Sequence, residues 1–138
     1  MTMNCVLDCS FCAALFLPHD KSGKVRDLFG KIADNEIYVP VQFWEEMTEL
    51  LLAALKRGRL KHADALEINK LISMYHFCTV TSFGDEYTGQ ILDLAFLYGL
   101  NAVEASYLEL AVRKNTSLGT LNGKLKSACQ RAGIETLL

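Results

Sequence analysis

Short apolar segments alternate with longer amphipathic segments along this 138-residue chain, and this alternation limits its fold more than any other feature. The short segments predict strands at residues 4–7, 37–40, 78–81 and 117–121, with an edge strand at 134–137. The longer ones predict helices at 11–17, 41–57, 62–75, 85–98, 102–114 and 123–132, and residues 20–35 also show helical spacing. Strands joined by helical crossovers pair in parallel. The pattern therefore predicts one domain over residues 1–138: a three-layer α/β/α fold around a central, mainly parallel sheet of four to five strands.

Amino-acid composition and net charge exclude several classes of protein. A hydrophobic content of 51% is enough to fill one core, and a net charge of −2 excludes strong binding of nucleic acid by the whole surface. The five cysteines are an odd number, and no secretory signal pattern precedes them, so we expect reduced thiols in the cytoplasm. The apolar runs are too short to cross a bilayer, so no membrane association is expected.

Four polar residues occupy positions where the predicted fold would bring them together. Asp8 and Asn122 each follow a predicted strand, at the carboxyl edge of the sheet where open α/β folds bind ligands. Glu46 and Glu104 lie in early turns of predicted helices, on the apolar side of each. Glu109 lies about 140° away from Glu104 around the helix axis, so we expect Glu104 to be the inward-facing acid.

Several buried carboxylates in one place require a cation, because unpaired buried charge is costly. Oxygen ligands favour a hard divalent ion, Mg²⁺ or Mn²⁺, which can activate water for phosphodiester hydrolysis. Each residue also has an ordinary structural explanation: Asp8 in a turn, the two glutamates near helix N-termini, and Asn122 as a helix cap. Only the set of residues favours a metal site.

The same residues carry a resemblance to a known family. The ordered series covers nearly the whole chain and comprises Val6-Leu7-Asp8-x-Ser10, Pro40-x-x-Phe43-Trp44-x-Glu46-Met47, Leu94-Ala95 with Tyr98-Gly99-Leu100, Glu104-Ala105-x-Tyr107-Leu108-x-Leu110-Ala111, and Thr120-Leu121-Asn122-x-x-Leu125. It resembles a PIN domain, and most closely the small nuclease toxins of bacterial and archaeal toxin–antitoxin pairs. The resemblance implies a Mg²⁺- or Mn²⁺-dependent ribonuclease, usually homodimeric and often held inactive by an antitoxin protein.

Carried over by position, Asp8, Glu46, Glu104 and Asn122 are the expected catalytic residues, with Asp8 and Glu104 binding the metal. Ser10 and Thr120 are expected to support the site. The family usually has Asp where this chain has Glu104, and an Asp is common where it has Asn122. Loss of a charge at Asn122 weakens a Mg²⁺ site. A catalytically weakened PIN-like domain that binds RNA or protein is therefore the second hypothesis, and a non-nuclease α/β binding domain is the third.

Other motifs offer further expectations. Cys9-Ser10-Phe11-Cys12 has the placement of a dithiol redox motif, but the adjacent Asp8 disfavours a reactive thiolate. With His76 and Cys78 the same pair has the residue types of a zinc site, although buried structural thiols are the commoner outcome. Ser10 is placed to cap the first helix.

Two surface features suggest partners. Basic residues between the third and fourth helices are candidate RNA contacts, with helix C-terminal cations as the equally good alternative: Lys56, Arg57, Arg59 and Lys61. Excess apolar residues around the third helix predict a homodimer or an antitoxin helix as partner: Leu50, Leu51, Leu52 and Leu55.

Overall fold

The computed structural model describes residues 4–17 and 23–138. Its elements, in chain order, are β1 (Cys5–Leu7), α1 (Cys9–Phe16), α2 (Gly23–Ile32), β2 (Ile37–Pro40), α3 (Gln42–Lys56), α4 (His62–Ile72), β3 (Phe77–Val80), α5 (Asp85–Tyr98), α6 (Ala102–Lys114), β4 (Ser117–Gly119), α7 (Gly123–Arg131) and β5 (Thr136–Leu137). The predicted α/β class is confirmed. Every predicted strand is present in the described residues, and the bounds of α5 and α6 agree with the sequence pattern.

The sheet has the strand order β3-β2-β1-β4-β5, and each neighbouring pair is parallel. After β1, the chain adds β2 and then β3 on one side of it, and β4 and then β5 on the other side. Helix α6 packs on β1, β2 and β4 and contacts α5 and α7, while α1 contacts α2 and α3. The result is the predicted three-layer α/β/α arrangement, with β1 at its centre.

The core surrounds β1 and α6. Cys5, Val6 and Leu7 are fully buried, and α6 is buried continuously from Ala105 to Ala111 because it lies between the sheet and neighbouring helices. Glu109 falls within that buried stretch, so the expectation that only Glu104 faces inward is wrong. The Arg113 guanidinium donates to both Glu109 carboxylate oxygens, at 2.8 and 2.9 Å, and also to the Ser82 hydroxyl at 2.8 Å.

Several predicted bounds need correction. Helix α1 begins at Cys9, and its N-cap is Asp8 rather than Ser10, because the Asp8 carboxylate accepts a hydrogen bond from the Phe11 N–H. Its predicted end at Pro18 lies outside the described residues, as do residues 20–22 of the polar segment that contains α2. Strand β4 stops at Gly119, and α4 ends at Ile72 in a turn through Ser73. Among the described residues no single helix is long and apolar enough to cross a membrane; α5 and α6 together meet that criterion only as a pair bent by 104°.

Candidate active site

The candidate site lies where the connections from the central strands diverge. β1 leads into a helix on one side, β4 leads into α7, and the strand order reverses between them. A crevice at the carboxyl ends of strands forms at such a reversal, because the two connections leave in opposite directions. Asp8 follows β1 directly, and Thr120 follows β4.

Asp8 is buried and held from several directions. One carboxylate oxygen accepts from the Ser10 hydroxyl at 2.7 Å and the Phe11 N–H at 3.0 Å. The other accepts from the Thr120 hydroxyl. Burial raises the pKa of Asp8 above its ordinary value, and these hydrogen bonds only partly offset that effect. The carboxylate is therefore fixed in position but costly to ionise without a nearby cation.

Ser10 and Thr120 both contact Asp8 and also tie β4 to α1. The Ser10 hydroxyl accepts from the Leu121 N–H at 2.8 Å, and the Thr120 hydroxyl accepts from the Asn122 N–H at 2.9 Å. The two hydroxyl oxygens lie 3.4 Å apart. These bonds align the two segments that carry Asp8 and Asn122.

Glu46 is half-buried on the second turn of α3. The hydroxyl of Tyr107, on α6, donates to a Glu46 carboxylate oxygen at 2.6 Å. Burial raises the pKa of Glu46, the Tyr107 hydrogen bond lowers it, and the charges of Asp8 and Glu104 raise it. The net shift is upward. The negative charges of Asp8 and Glu104 therefore both act on Glu46, so the three carboxylates share one electrostatic environment.

Glu104 and Asn122 contact each other directly. Glu104 forms a capping box with Asn101, and its other carboxylate oxygen accepts from the Asn122 side-chain N–H at 3.0 Å. The Lys124 ammonium lies 3.5 Å from Glu104. Partial burial acts to raise the pKa of Glu104, but the Asn101 N–H, the Asn122 amide and Lys124 outweigh it, so the pKa lies below its ordinary value.

Asn122 uses its two amide atoms for different tasks. Its side-chain oxygen caps α7 by accepting from the N–H groups of Lys124 and Leu125, at 3.0 and 3.2 Å. Its nitrogen therefore faces Glu104. The atom that sequence reasoning offered as a metal ligand is turned toward the helix, and the atom facing the acids is a hydrogen-bond donor.

The donor chemistry of the site fits a hard cation, because its carboxylates are oxygen donors and the charges of Asp8 and Glu104 both raise the pKa of Glu46. In the described residues, however, no three His, Cys, Asp or Glu side chains are close enough together to form a ligand group. Asp8, Glu46 and Glu104 are each held by protein hydrogen bonds instead. The three acids lie at one edge of the sheet, and hydrogen-bond donors of the protein contact the carboxylate oxygens that a metal would use.

The cysteine motif shows no activation. Cys9 and Cys12 are both buried free thiols. Burial, followed by the charges of Glu46 and Asp8, raises the pKa of Cys9 to about 12, and burial raises the pKa of Cys12 well above its ordinary value. A reactive dithiol needs the opposite shift. Cys78 is exposed, and within the described part of the chain it forms no metal-ligand cluster with His76.

The predicted basic tip is exposed between α3 and α4. Lys56, Arg57, Arg59 and Lys61 all lie at the surface there, while Leu60 is buried and anchors the turn. Within the part of the chain that the structure describes, none of these cations forms an ion pair. The tip is therefore available to phosphates, but nothing in the fold assigns it to a ligand.

An open groove runs from the site along α1 and α3. Its walls include Ala13, Ala14, Trp44, Ala53, Val103 and Leu121, and Ser10 and Glu46 connect it with the acidic residues. Leu50, one of the leucines predicted to bind a partner, also lines it. Glu45 and Glu49 stand beside Glu46 on its wall, so the groove is apolar with an acidic side.

Comparisons with known proteins bear on the fold. No family model matches the chain, and no curated protein sequence matches it. Solved structures do. The crystal structure of PAE2754 from Pyrobaculum aerophilum superposes with a TM-score of 0.72 at 20% identity, over 98% of this chain and 84% of that one. A toxin–antitoxin complex from Klebsiella pneumoniae gives a TM-score of 0.58 at 16% identity, over 86% of each chain. At these identities, the likeness shows a shared fold.

Sequence reasoning did not assign roles to Tyr107 and Lys124. Tyr107 is buried, and its pKa is raised by burial and by Glu46, so it remains a hydrogen-bond donor throughout the usual pH range. The sequence did contain a signal for Tyr107, because this residue lies one helical turn after Glu104 on the same face of the predicted helix. Lys124 gave no comparable signal, since its contact with Glu104 depends on how α7 leaves β4.

Proposed function

We propose that this chain is a divalent-metal-dependent ribonuclease of the PIN type. The observation that carries the proposal is the meeting of Asp8, Glu46 and Glu104 at the strand reversal, where the charges of Asp8 and Glu104 both act on Glu46. An acid whose pKa is raised by burial and by neighbouring carboxylates, as that of Glu46 is, destabilises a fold unless it serves a purpose. Their position at the ligand-binding edge of the sheet suggests a catalytic purpose.

The chain's own residues would prepare the site for a phosphodiester. Ser10, Thr120 and the Phe11 N–H fix Asp8, and Tyr107 fixes Glu46, so neither carboxylate must be ordered during the reaction. Asp8 and Glu104 would bind Mg²⁺ or Mn²⁺, with Glu46 completing the site and Asn122 positioning Glu104 through its side-chain N–H. Such an ion lowers the pKa of bound water and neutralises charge that develops on phosphate oxygens. Lys124, largely exposed beside Glu104, offers a cation to the substrate backbone.

The test compares two neighbouring acids on α3. Glu46→Gln removes the charge that faces Asp8 and Glu104, whereas Glu45→Gln changes an exposed neighbour on the same helix. We expect Glu46→Gln and Asp8→Asn to abolish Mn²⁺-dependent cleavage of a structured RNA in a single-turnover assay. Asn is as good an N-cap as Asp, so Asp8→Asn should leave α1 intact. Glu45→Gln should cleave at the native rate.

Metal binding is measured on the same variants by calorimetry. The proposal requires that Asp8→Asn weaken Mn²⁺ binding at least tenfold while circular dichroism stays unchanged. Cleavage and metal binding that are indifferent to both Asp8→Asn and Glu46→Gln would refute a nuclease at this site and favour a non-nuclease binding domain.

One observation favours the second candidate, a PIN-like domain with weakened catalysis that binds RNA or protein. The Asn122 amide donates a hydrogen bond to Glu104, and the Lys124 ammonium balances its charge, as a bound cation otherwise would. Asn122→Asp discriminates between the two candidates, because it replaces that donor with a carboxylate. Native cleavage that Asn122→Asp merely increases supports the nuclease. Cleavage that is absent in the native chain but present in Asn122→Asp supports the weakened domain.

For a protein partner we propose an antitoxin whose helix occupies the groove between α1 and α3. The groove offers apolar walls and the acidic side formed by Glu45, Glu46 and Glu49, which together complement an amphipathic helix with basic residues. The similarity in fold to a protein from a toxin–antitoxin complex supports this choice. Such a helix would cover Ser10 and Glu46 and so block access of RNA to the site. Ala53→Arg, which adds bulk and positive charge to the groove wall, should abolish binding of such a helix and leave cleavage unchanged.

A further inference from the structure

The exposed face of α7 carries two cations in line with the candidate site. Lys124, Ser127 and Arg131 follow one another at spacings of three and four residues, so they share one face of the helix. All three are exposed. The buried residues of α7 lie on its other side: Leu125, Ala128 and Cys129. We call Lys124, Ser127 and Arg131 the α7 row.

The α7 row begins at the acids and leads away from them. Asn122, the N-cap of α7, donates to Glu104 at 3.0 Å, and the Lys124 ammonium lies 3.5 Å from the same carboxylate group. Because α7 connects the parallel strands β4 and β5, it runs from the carboxyl edge of the sheet back toward the amino edge. Arg131 comes seven residues after Lys124, which places it about 10 Å further along the helix axis.

Arg131 is held in place by α5 before any ligand arrives. One of its guanidinium N–H groups donates to the Tyr98 carbonyl at 3.1 Å, and the guanidinium lies 5.3 Å from the centre of the Tyr98 ring. Within residues 4–17 and 23–138 it forms no ion pair. A guanidinium has five N–H donors in a planar fork that suits phosphate, so donors remain for a ligand. A cation that is already ordered loses less side-chain entropy on binding.

The other side of the candidate site repels phosphate. Glu45 and Glu49 stand beside Glu46 on the wall of the groove between α1 and α3. A strand of RNA that followed this groove would bring its phosphates against three carboxylates, and like charges repel one another. A strand that leaves the site over α7 meets the Lys124 ammonium instead. Charge therefore favours the α7 side for a nucleic acid.

We propose that the α7 row binds the backbone of the RNA strand that occupies the site, with one phosphate at Lys124 and another at Arg131. This inference rests on the proposed ribonuclease function and adds the path of the substrate across the surface. The separation of about 10 Å corresponds to about three nucleotide steps of a stacked strand. The Ser127 hydroxyl lies between the two cations and donates to a phosphate or sugar oxygen. All of these contacts are to the backbone, so they position the strand without selecting its sequence.

The test measures the binding of a short fluorescent oligouridylate to the full chain by anisotropy, with a chelator present so that no metal-dependent cleavage occurs. Arg131→Gln is compared with Arg57→Gln, because both arginines are exposed at the C-terminal end of a helix and lose the same interaction with its dipole. At about 0.05 M salt, Arg131→Gln should weaken binding about five- to tenfold, and the slope of log affinity against log salt should fall by about 0.7, the share of one phosphate contact. Arg57→Gln should change neither quantity.

Arg131→Lys separates a phosphate contact from a structural role in holding Tyr98. It keeps the charge and should recover most of the salt slope, which the loss of a structural contact would not restore. Thermal unfolding checks that each variant folds.

Three results would overturn the proposal: a native chain that does not bind the oligouridylate, equal affinities and slopes for the native chain and Arg131→Gln, or a larger loss in Arg57→Gln, which would place the strand on the basic tip. Cleavage that Asp8→Asn abolishes, with binding indifferent to Arg131, would refute the α7 row alone. Binding that depends on Arg131 without any Mn²⁺-dependent cleavage would support the α7 row and refute the ribonuclease alone.

Discussion

Replacing Tyr107 with phenylalanine tests whether the site is held in place by the contact between α6 and α3. The change removes one hydroxyl, which donates to Glu46 at 2.6 Å, and leaves the ring in the core. A hydrogen bond to a charged group contributes about 1.5–3 kcal/mol. We therefore expect Tyr107→Phe to lose about 2 kcal/mol of unfolding free energy when Glu46 is ionised.

The loss depends on pH in a defined direction. The pKa of Glu46 is already raised in the folded protein, by burial first and by the charges of Asp8 and Glu104 as well. The folded state therefore binds more protons than the unfolded state, and stability falls as pH rises from the ordinary Glu value through the folded one. The Tyr107 hydroxyl opposes this shift. Without it the pKa rises further, so the stability difference between native and variant protein grows from about pH 4 to about pH 8.

The assay is urea unfolding at both pH values with a chelator present. Tyr75→Phe is the matched control, because Tyr75 is half-buried in an aromatic cluster and its hydroxyl has no protein partner among the described residues. Equal losses for the two variants at about pH 8, or a Tyr107→Phe loss independent of pH, would refute the reasoning. If the ribonuclease proposal is right, Tyr107→Phe should also lower kcat for RNA more than it changes KM, because Glu46 would lose its fixed orientation.

Two further substitutions probe the core beside the site. Arg113→Ala leaves the buried Glu109 carboxylate unpaired, so it should lower the free energy of unfolding in urea by at least about 2 kcal/mol. The double variant Arg113→Ala with Glu109→Gln should recover much of that loss, and equal stability of the single and double variants would contradict this account. Gly119→Ala places a Cβ 2.7 Å from a Leu7 side-chain atom and 3.2 Å from Phe11, so it should lower the free energy of unfolding by about 1–3 kcal/mol. Gly30→Ala is the control: its Cβ meets nothing within 4 Å, so it should stabilise the protein slightly. A Gly119→Ala variant as stable as the native chain would mean that Leu7 and Phe11 pack against Gly119 less tightly than the structure shows.

The order of elements could be predicted because local signals were strong and agreed with one another. Gly99 ends α5 in the left-handed conformation, and Asn101 caps α6 with Glu104 three residues later, so both bounds are visible in sequence. The parallel sheet followed from the crossovers. The position of Asp8 at the strand reversal followed from the sheet, because the end of a parallel strand is where such folds leave a crevice.

What could not be predicted depended on competition between roles or on contacts distant in sequence. Asn122 was expected to offer an oxygen, but two backbone N–H groups of α7 take that oxygen and turn the nitrogen toward Glu104. Glu109 was misplaced because the angular argument assumes one buried face, and α6 is buried on several. The Tyr107–Glu46 bond joins residues 61 positions apart, which no local pattern encodes.

The central place of β1 has a consequence for how the protein is made. β1 is paired on one side with β2 and on the other with β4, and the Thr120 hydroxyl that fixes Asp8 lies 112 positions later in the chain. During synthesis, β2 and β3 can join β1 early, but the other edge of β1 stays open until the ribosome has released β4. The acidic cluster is thus completed only after 112 further positions have been synthesised, and contacts of such long sequence separation form slowly. A nascent chain therefore carries Asp8 long before the Thr120 hydroxyl can fix it, so if the ribonuclease proposal is right, a partial chain that lacks β4 is inactive.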